Sequence, residues 1–373
     1  YSDTAATYLI DGKLAPRCGE VFRNPRLAAS YRAIAAGGAE AFYRGDIARQ
    51  IVDYSRQNGG LMTAADFADH ESEWVEPVST DYRGYRVWEL PPNGQGIAVL
   101  EMLNLLEPYD LRAIGFAGAD YLHLLIEAKK LAFADRAKFY ADPAFADVPL
   151  EELISKEYAR RQGERIDPRR AAVDVPAGDP RLSRGDTVYL AVVDEDRNCC
   201  SLIQSIYYHF GSKIVPGDVG FAMQNRGALF SLDGRHMNRL EPHKRPFHTI
   251  IPAMDTRDDR PWHCFGVMGG DMQPQGHVQV LVNLIDFGCN VQAAGDAARV
   301  RHTGSATPTG QPADGSGTVF VESGVPEAAV AELTARGHRV VRGGASFGGY
   351  QAVMIDWEQG VLHGATESRK DLS

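Results

Sequence analysis

A threonine that could become a chain end is the group in this sequence with the most to offer chemically. Thr187 opens a run of strand character, TVYLAVVD at 187–194, directly after a polar stretch broken by proline and glycine. A threonine hydroxyl is a poor nucleophile near neutral pH. Cutting the Asp186–Thr187 bond changes that, because the freed α-amine, with a pKa of roughly 7.7–8.0, then sits beside the hydroxyl as its general base. Ser205 lies on the strand expected to pair with this run and could hydrogen-bond the Thr187 hydroxyl. Gly269-Gly270 falls between a strand and a helix, where adjacent N–H groups can face a developing oxyanion. Losing one such donor typically costs about 2.7–4 kcal/mol of transition-state stabilisation. Each feature also has a plainer reading: a Thr starting a strand after a turn, a strand Ser, a glycine pair in a tight turn. Together they have the order amine-nucleophile, hydroxyl, oxyanion hole.

The elements that must position these groups follow from periodicity. The first half reads mainly helical. Helix-like spacing spans Pro25–Arg44, Thr63-Ala-Ala-Asp66 resembles a capping box, and an apolar helix follows Gly94-Gln95-Gly96 to about Leu106. Tyr82–Leu90 alternates as one strand. Ala119–Tyr140 places Tyr121, Leu124, Leu125, Ala128, Leu131 and Ala132 on one face, predicting an amphipathic helix. Residues 167–186, rich in Arg, Asp, Pro and Gly and nearly without large apolar side chains, predict an exposed, mobile loop open to cutting. The second half reads as strands and turns. Thr187–Asp194 and Cys199–Tyr208 predict a hairpin through Asp196-Arg197-Asn198, and Trp262–Met268 predicts a strand leading into a helix over 274–287. Later strands surround a helix at 326–336. Without regular βαβ alternation, the expectation is an α+β protein in two portions: residues 1–186, mainly helical, and 187–373, beginning at the nucleophile.

Composition narrows the classes. The 373 residues carry a net charge of −10, which argues against a nucleic-acid-binding face. No apolar run reaches the ~18–20 residues of a membrane span, and residues 1–20 lack a signal-peptide pattern. Five cysteines (Cys18, Cys199, Cys200, Cys264 and Cys289) have no metal-ligand spacing and read as buried free thiols, favouring a reducing, cytoplasmic compartment. The 11 histidines form no HxxxH or HxH cluster, so no metal site is expected, and an amine-assisted hydroxyl nucleophile needs no organic cofactor.

The chain resembles the γ-glutamyltransferase family of N-terminal-nucleophile (Ntn) hydrolases along essentially its whole length. The resemblance is carried by FRNP at 22–25, AEAFYRG at 39–45, DYRGYRV at 81–87, PPNGQG at 91–96 and LAFADR at 131–136 in the first half. In the second it rests on GDT at 185–187, QNRG at 224–227, KRPFHTIIP at 244–252, Gly269-Gly270, FGG at 347–349 and Gly364-Ala365 with RKD at 369–371. It implies a four-layer αββα sandwich, autocatalytic cleavage of a zymogen at Asp186/Thr187, a heterodimer of the two fragments that could oligomerise further, and an acyl-enzyme on amides. It also implies Thr187 as nucleophile, Ser205 in place of the family's second active-site threonine, and Gly269 and Gly270 as oxyanion hole.

The departures are informative. His248-Thr249 stands where glutathione-type members carry two serines for the substrate carboxylate. Leu229 replaces an aspartate for the substrate α-ammonium, and Tyr207 replaces an asparagine. Lys213 stands where the family usually has Gly, and the N-terminal portion of family members, with its arginine for the carboxylate, has no match in this sequence. Either another piece supplies that portion or this version is pared down. Arg226 with the His-Thr pair resembles the subgroup that includes oxamate amidohydrolases and acylases. In that reading Arg226 clamps a small carboxylate, with His248, Thr249, Asn225 and Tyr207 as further substrate-binding positions. Arg226 could instead be a loop arginine, and His248 a structural histidine. Three functions stay open: an oxamate-like amidohydrolase, a γ-glutamyl hydrolase or transpeptidase, and an uncleaved scaffold. A thiol enzyme on Cys199 or Cys200 fails for want of a recognisable His or Asn partner.

Overall fold

Residues 2–173, 175 and 186–370 are described in the computed structural model of the chain. The loop expected at 167–186 therefore falls largely outside the described residues. What is described of it is anchored: His123 Nε2–H donates to the Asp167 carbonyl at 2.7 Å, and Ala171 N–H donates to Arg336 O at 2.7 Å.

The chain divides into two compact units whose border is not the Asp186–Thr187 junction. One unit is Tyr1–Trp74 with Ile206–Asn225; the other is Val75–Ser205 with Arg226–Ser373. The junction lies within the second.

The first unit carries helices α1 (Ser2–Tyr8), α2 (Pro25–Tyr43), α3 (Asp46–Gln57) and α4 (Ala64–Ala68). Asn24 caps α2, accepting from Leu27 N–H at 2.9 Å while its own amide donates to Gly220 O. This explains why FRNP ends in a proline at the first helical turn. The Thr63/Asp66 capping box is present at α4. Ile47 and Ile51 of α3 bury against Val215, Val219 and Ala222.

The second unit contains, in chain order, β1 (Val78–Tyr82), β2 (Tyr85–Glu89), α5 (Ile97–Leu106), α6 (Leu111–Ile114), α7 (Ala119–Phe139), α8 (Leu150–Leu153) and α9 (Lys156–Gly163). There follow β3 (Asp186–Val193), β4 (Cys199–Tyr207), β5 (Ala253–Arg257), β6 (Arg260–Met268), α10 (Met272–Ile285) and α11 (Val291–Asp296). The remainder is β7 (Val300–Thr303), β8 (Thr318–Val321), α12 (Glu327–Ala335), β9 (Val340–Arg342), β10 (Gly349–Asp356) and β11 (Val361–Ala365). Six strands form one antiparallel sheet in the order β1-β2-β5-β6-β10-β11. The pairing of β2 with β5, Arg86 to Thr256 and Trp88 to Met254, joins the two halves of the sequence in one ladder. Helices α5 and α10 cover one face of this sheet, α7 packs on α5, and the β3–β4 hairpin packs on β6 and β10. The fold is α+β, and three layers of the expected αββα order are built inside this unit.

Three expectations change. Tyr82–Leu90 is not one strand, because Arg83-Gly84, both at positive φ, turn the chain between β1 and β2. The helix at 119–139 is not amphipathic: besides the expected apolar face, His123, Glu127, Lys129, Lys130 and Arg136 are buried. It is an interior helix that places paired polar groups inside the fold. Of the five free cysteines only Cys264 is buried; Cys200 points outward from the hairpin with Val188, Leu190, Val192 and Leu202, and Cys18 is also exposed. No helix among the described residues is long and apolar enough to cross a membrane.

Candidate active site

Strand alternation decides where Thr187 faces. Thr187 and Tyr189 are buried while Val188 and Leu190 are exposed, so Thr187 and Tyr189 share the face turned to the six-stranded sheet. Tyr189 lies over Gly266 of β6: a Cβ built at Gly266 would come within 2.5 Å of the Tyr189 ring. Its hydroxyl shares a 2.7 Å hydrogen bond with Ser201 Oγ of β4. Ser201 and Ser205, two steps of two apart, therefore stand on that inner face as well. At the far end of the hairpin, Asp194 N–H donates to Asn198 O, and Asp194 Oδ1 accepts from Asn198 N–H at 2.8 Å. The Asp196-Arg197-Asn198 connection forms as expected, with Arg197 at φ 65°.

Strand β6 runs from Gly266 to the glycine turn. Gly269 and Gly270 have φ of 138° and 62°, values that side chains rarely adopt. The Gly269 carbonyl accepts from Met272 N–H and the Gly270 carbonyl from Gln273 N–H, both at 3.1 Å. Both carbonyls are thereby committed to the first turn of α10. The strand below is pinned by His277 of α10. Its Nε2 accepts from Val267 N–H at 3.1 Å, which places its proton on Nδ1, 2.8 Å from Glu89 Oε1. Burial drives the His277 pKa down to about 3, so the ring is neutral.

Arg226 opens a 3₁₀ turn that ends at Leu229, and both are buried. In such a turn residues three apart eclipse, so Arg226 and Leu229 lie on one side. Arg226 Nη1 donates to Thr249 Oγ1 at 3.3 Å. Next to Thr249, His248 N–H donates to Asn93 O at 2.9 Å, and its Nδ1–H donates to Pro246 O at 2.7 Å. Burial, then the charge of Arg226, depress the His248 pKa to about 4. His248 is thus a neutral ring near neutral pH and supplies no positive charge to an anion.

One fully buried side chain links these pieces. Gln95 Nε2 donates to Thr249 O at 2.7 Å and to Gly270 O at 3.0 Å, while Gln95 Oε1 accepts from Arg136 Nη1 at 2.7 Å. Arg136 Nη1 also pairs with Asp271 Oδ1 at 2.6 Å. Arg226, Thr249, Gly270 and Asp271 are so brought into one hydrogen-bonded assembly. Gln95 and Arg136 carried no sequence signal beyond their motifs, because a buried amide contacting two carbonyls from distant segments has no periodicity. The other two expected substrate-binding positions are Asn225 and Tyr207. Both belong to the first unit, within which Asn225 Oδ1 accepts from Tyr208 N–H at 3.1 Å and Tyr207 stacks on Tyr208 with ring centres 4.3 Å apart. In the same unit Lys213 has φ of 62°, the left-handed conformation for which glycine is the usual residue.

Among the described residues, His123, Glu127 and His338 bring ligand atoms within 4.8 Å of one another. The arrangement is not that of a metal centre. His123 Nδ1 and His338 Nε2 share a 2.8 Å hydrogen bond, and the Lys130 ammonium already stands 2.7 Å from Glu127 Oε1 as the cation of the group.

A family profile described as Gamma-glutamyltranspeptidase matches residues 1–373. The chain is 41% identical over 371 residues to the glutathione hydrolase-like YwrD proenzyme of Bacillus subtilis (strain 168), covering 99% of this chain and 68% of that one. It is 34% identical to the oxamate amidohydrolase proenzyme of Klebsiella pneumoniae subsp. pneumoniae, covering 98% and 67%. Among solved structures, the cephalosporin acylase of Bacillus halodurans superposes with a TM-score of 0.87 at 44% identity, covering 99% of this chain and 65% of that one. The chain thus spans about two thirds of the length of each.

Proposed function

The chain belongs to the gamma-glutamyltranspeptidase family, and we propose that it is a self-processing threonine amidohydrolase that hydrolyses the amide of a small, oxamate-like carboxylate. In maturation the Thr187 hydroxyl attacks the Asp186 carbonyl, the peptide nitrogen leaves as the new α-amine, and water hydrolyses the resulting ester. In turnover the same hydroxyl attacks the substrate amide while the amine takes its proton and passes it to the departing nitrogen. Water then releases the acid from the acyl-enzyme. Such proton shuttling contributes roughly 10²–10⁴-fold. Gly269 and Gly270 donate to the oxyanion, and Ser205, on the inner face of the paired strand, supports the hydroxyl. No metal or organic cofactor takes part in these steps. The two fragments stay together as a heterodimer through the β2–β5 ladder.

The observation that carries the substrate class is the Arg226 turn. A buried guanidinium bonded to Thr249, with Leu229 on the same side, suits a carboxylate beside an apolar wall. An α-ammonium facing Leu229 would be buried without a partner, and uncoupling a buried charge pair costs about 3–5 kcal/mol. A γ-glutamyl substrate is the second reading, favoured by the name of the YwrD relative. Turnover of oxamate compared with a γ-glutamyl anilide separates the two. Faster release from the anilide overturns the preference, and failure of both substrates on the cut protein removes the proposed substrate classes. Whether water or an amine accepts the acyl group is read from the products of the same assay.

A further inference from the structure

Gln95 is fully buried just before α5, and its side chain reaches the backbone, not the side chains, of two residues read as touching substrate, Thr249 and Gly270. Its carboxamide is committed at both ends. Two carbonyl oxygens, Thr249 O and Gly270 O, take its Nε2–H groups, and the Arg136 guanidinium takes its Oε1. The amide cannot be turned over without setting donors against donors and acceptors against acceptors. Arg136 is itself buried and held, by Asp271 Oδ1 at 2.6 Å and by Ala306 O at 3.2 Å. Two backbone segments far apart in sequence, 249 and 270, are therefore set at a fixed separation by one side chain whose orientation a second side chain dictates.

The two carbonyls are not arbitrary. Thr249 presents its hydroxyl to Arg226, and Gly270 is the second residue of the glycine turn read above as the oxyanion hole. Accordingly, we propose that Gln95 is a positioning residue that sets the distance between the carboxylate clamp and the oxyanion turn, with Arg136 as its orienting partner. The proposal rests on the functional reading above, in which Arg226 binds carboxylate and Gly269-Gly270 binds oxyanion. It has a kinetic signature. The ground-state carboxylate meets Arg226 and Thr249 whatever the placement of the turn, whereas the oxyanion exists only in the transition state. Loosening the link therefore lowers kcat and leaves KM nearly unchanged.

Two near-isosteric variants separate positioning from simple packing. Gln95→Glu keeps the acceptor for Arg136 but presents an oxygen to the two carbonyls in place of the donors. Gln95→Met fills the space and removes donors and acceptor alike. Both are measured as cut, folded protein, with active sites counted by acyl-enzyme formation, on whichever of oxamate and a γ-glutamyl anilide the parent turns over. The expected result is a fall in kcat per active site of about 10–100-fold, as for a reacting group misplaced by a fraction of an ångström to 1 Å, with KM within threefold. Cleavage before Thr187 should proceed as in the parent. A kcat per active site within twofold of the parent overturns the proposal, as does a folded variant that stays uncut. Should neither variant fold, Arg136→Lys decides on the same readout, because an ammonium keeps the charge but loses the two-nitrogen guanidinium that reaches Gln95 and Asp271 through Nη1 while Nη2 is held by Ala306 O. Thr187→Ala is run alongside: if it is cut or active the functional reading fails, and if it is inert while the Gln95 variants match the parent, only the role of Gln95 fails.

Discussion

Replacing Gly266 with alanine should separate the strand that begins at Thr187 from the sheet beneath it. The added Cβ would lie 2.5 Å from Cδ2 and Cε2 of Tyr189 and 2.9 Å from Cγ. Carbon atoms in contact settle near ~3.5–4.0 Å, so about 1 Å of room must be opened. The tyrosine cannot give way cheaply, being 4% exposed and tied through its hydroxyl to Ser201. Forcing an extra methyl into such a contact costs about 1–3 kcal/mol. Thr187 is two residues along the same strand, so a shift of about 1 Å at Tyr189 carries it along, and displacement of that size at a reacting group lowers rate by about 10²-fold. The assay is the rate at which the fragment beginning with Thr187 accumulates, together with kcat and Tm. Gly266→Ala should be folded, slower to cut and slower to turn over. Repeated in a Tyr189→Ala background, the same substitution should cost little, giving a coupling energy of about 1–3 kcal/mol between the two sites. Parental cutting and turnover in Gly266→Ala, or an equal cost in both backgrounds, would refute the packing argument.

The remaining predictions concern the clamp and its neighbour. Arg226→Ala should raise KM for an anionic amide about 30-fold or more, corresponding to roughly 2 kcal/mol or more for a desolvated charge contact, and change KM for a neutral amide less than threefold; equal effects on both substrates would remove Arg226 from the carboxylate site. His248 adds a pH dependence of definite sign. Its pKa is pushed to about 4 in the folded protein against an ordinary 6.5, so between those values the unfolded chain binds more protons. The stability its neutral form contributes is complete above about pH 6.5 and is lost as pH falls toward 4. Melting curves across that interval should show a shallower loss of Tm for His248→Gln than for the parent, and parallel curves would contradict it.

Much of this molecule is legible in the chain because the relevant signals are local. The hairpin at 187–207 follows from alternation and an Asp-Arg-Asn turn, and the Thr63/Asp66 box from side-chain chemistry within four residues. What escaped is what depends on distant partners. Strands β5, β7 and β11 are short, and β5 exists as a strand because β2 and β6 flank it. The charged residues of α7 imitate a solvent face; Lys130 is buried with Glu127, and buried Arg136 pairs with half-buried Asp271, so periodicity alone misreads the helix. Arg226 and the glycine pair could be named from motifs, while Gln95, which holds their surroundings together, could not. Its partners lie 154 and 175 residues away.

Intact mass under denaturing conditions, combined with N-terminal sequencing, tests the central claim most directly. The purified protein should resolve into two polypeptides, the second beginning with Thr187, and Thr187→Ala should give one uncut, inactive chain, with Thr187→Ser partly cut and partly active. Amide hydrolysis by a protein whose chain runs unbroken through Asp186–Thr187 would contradict the account.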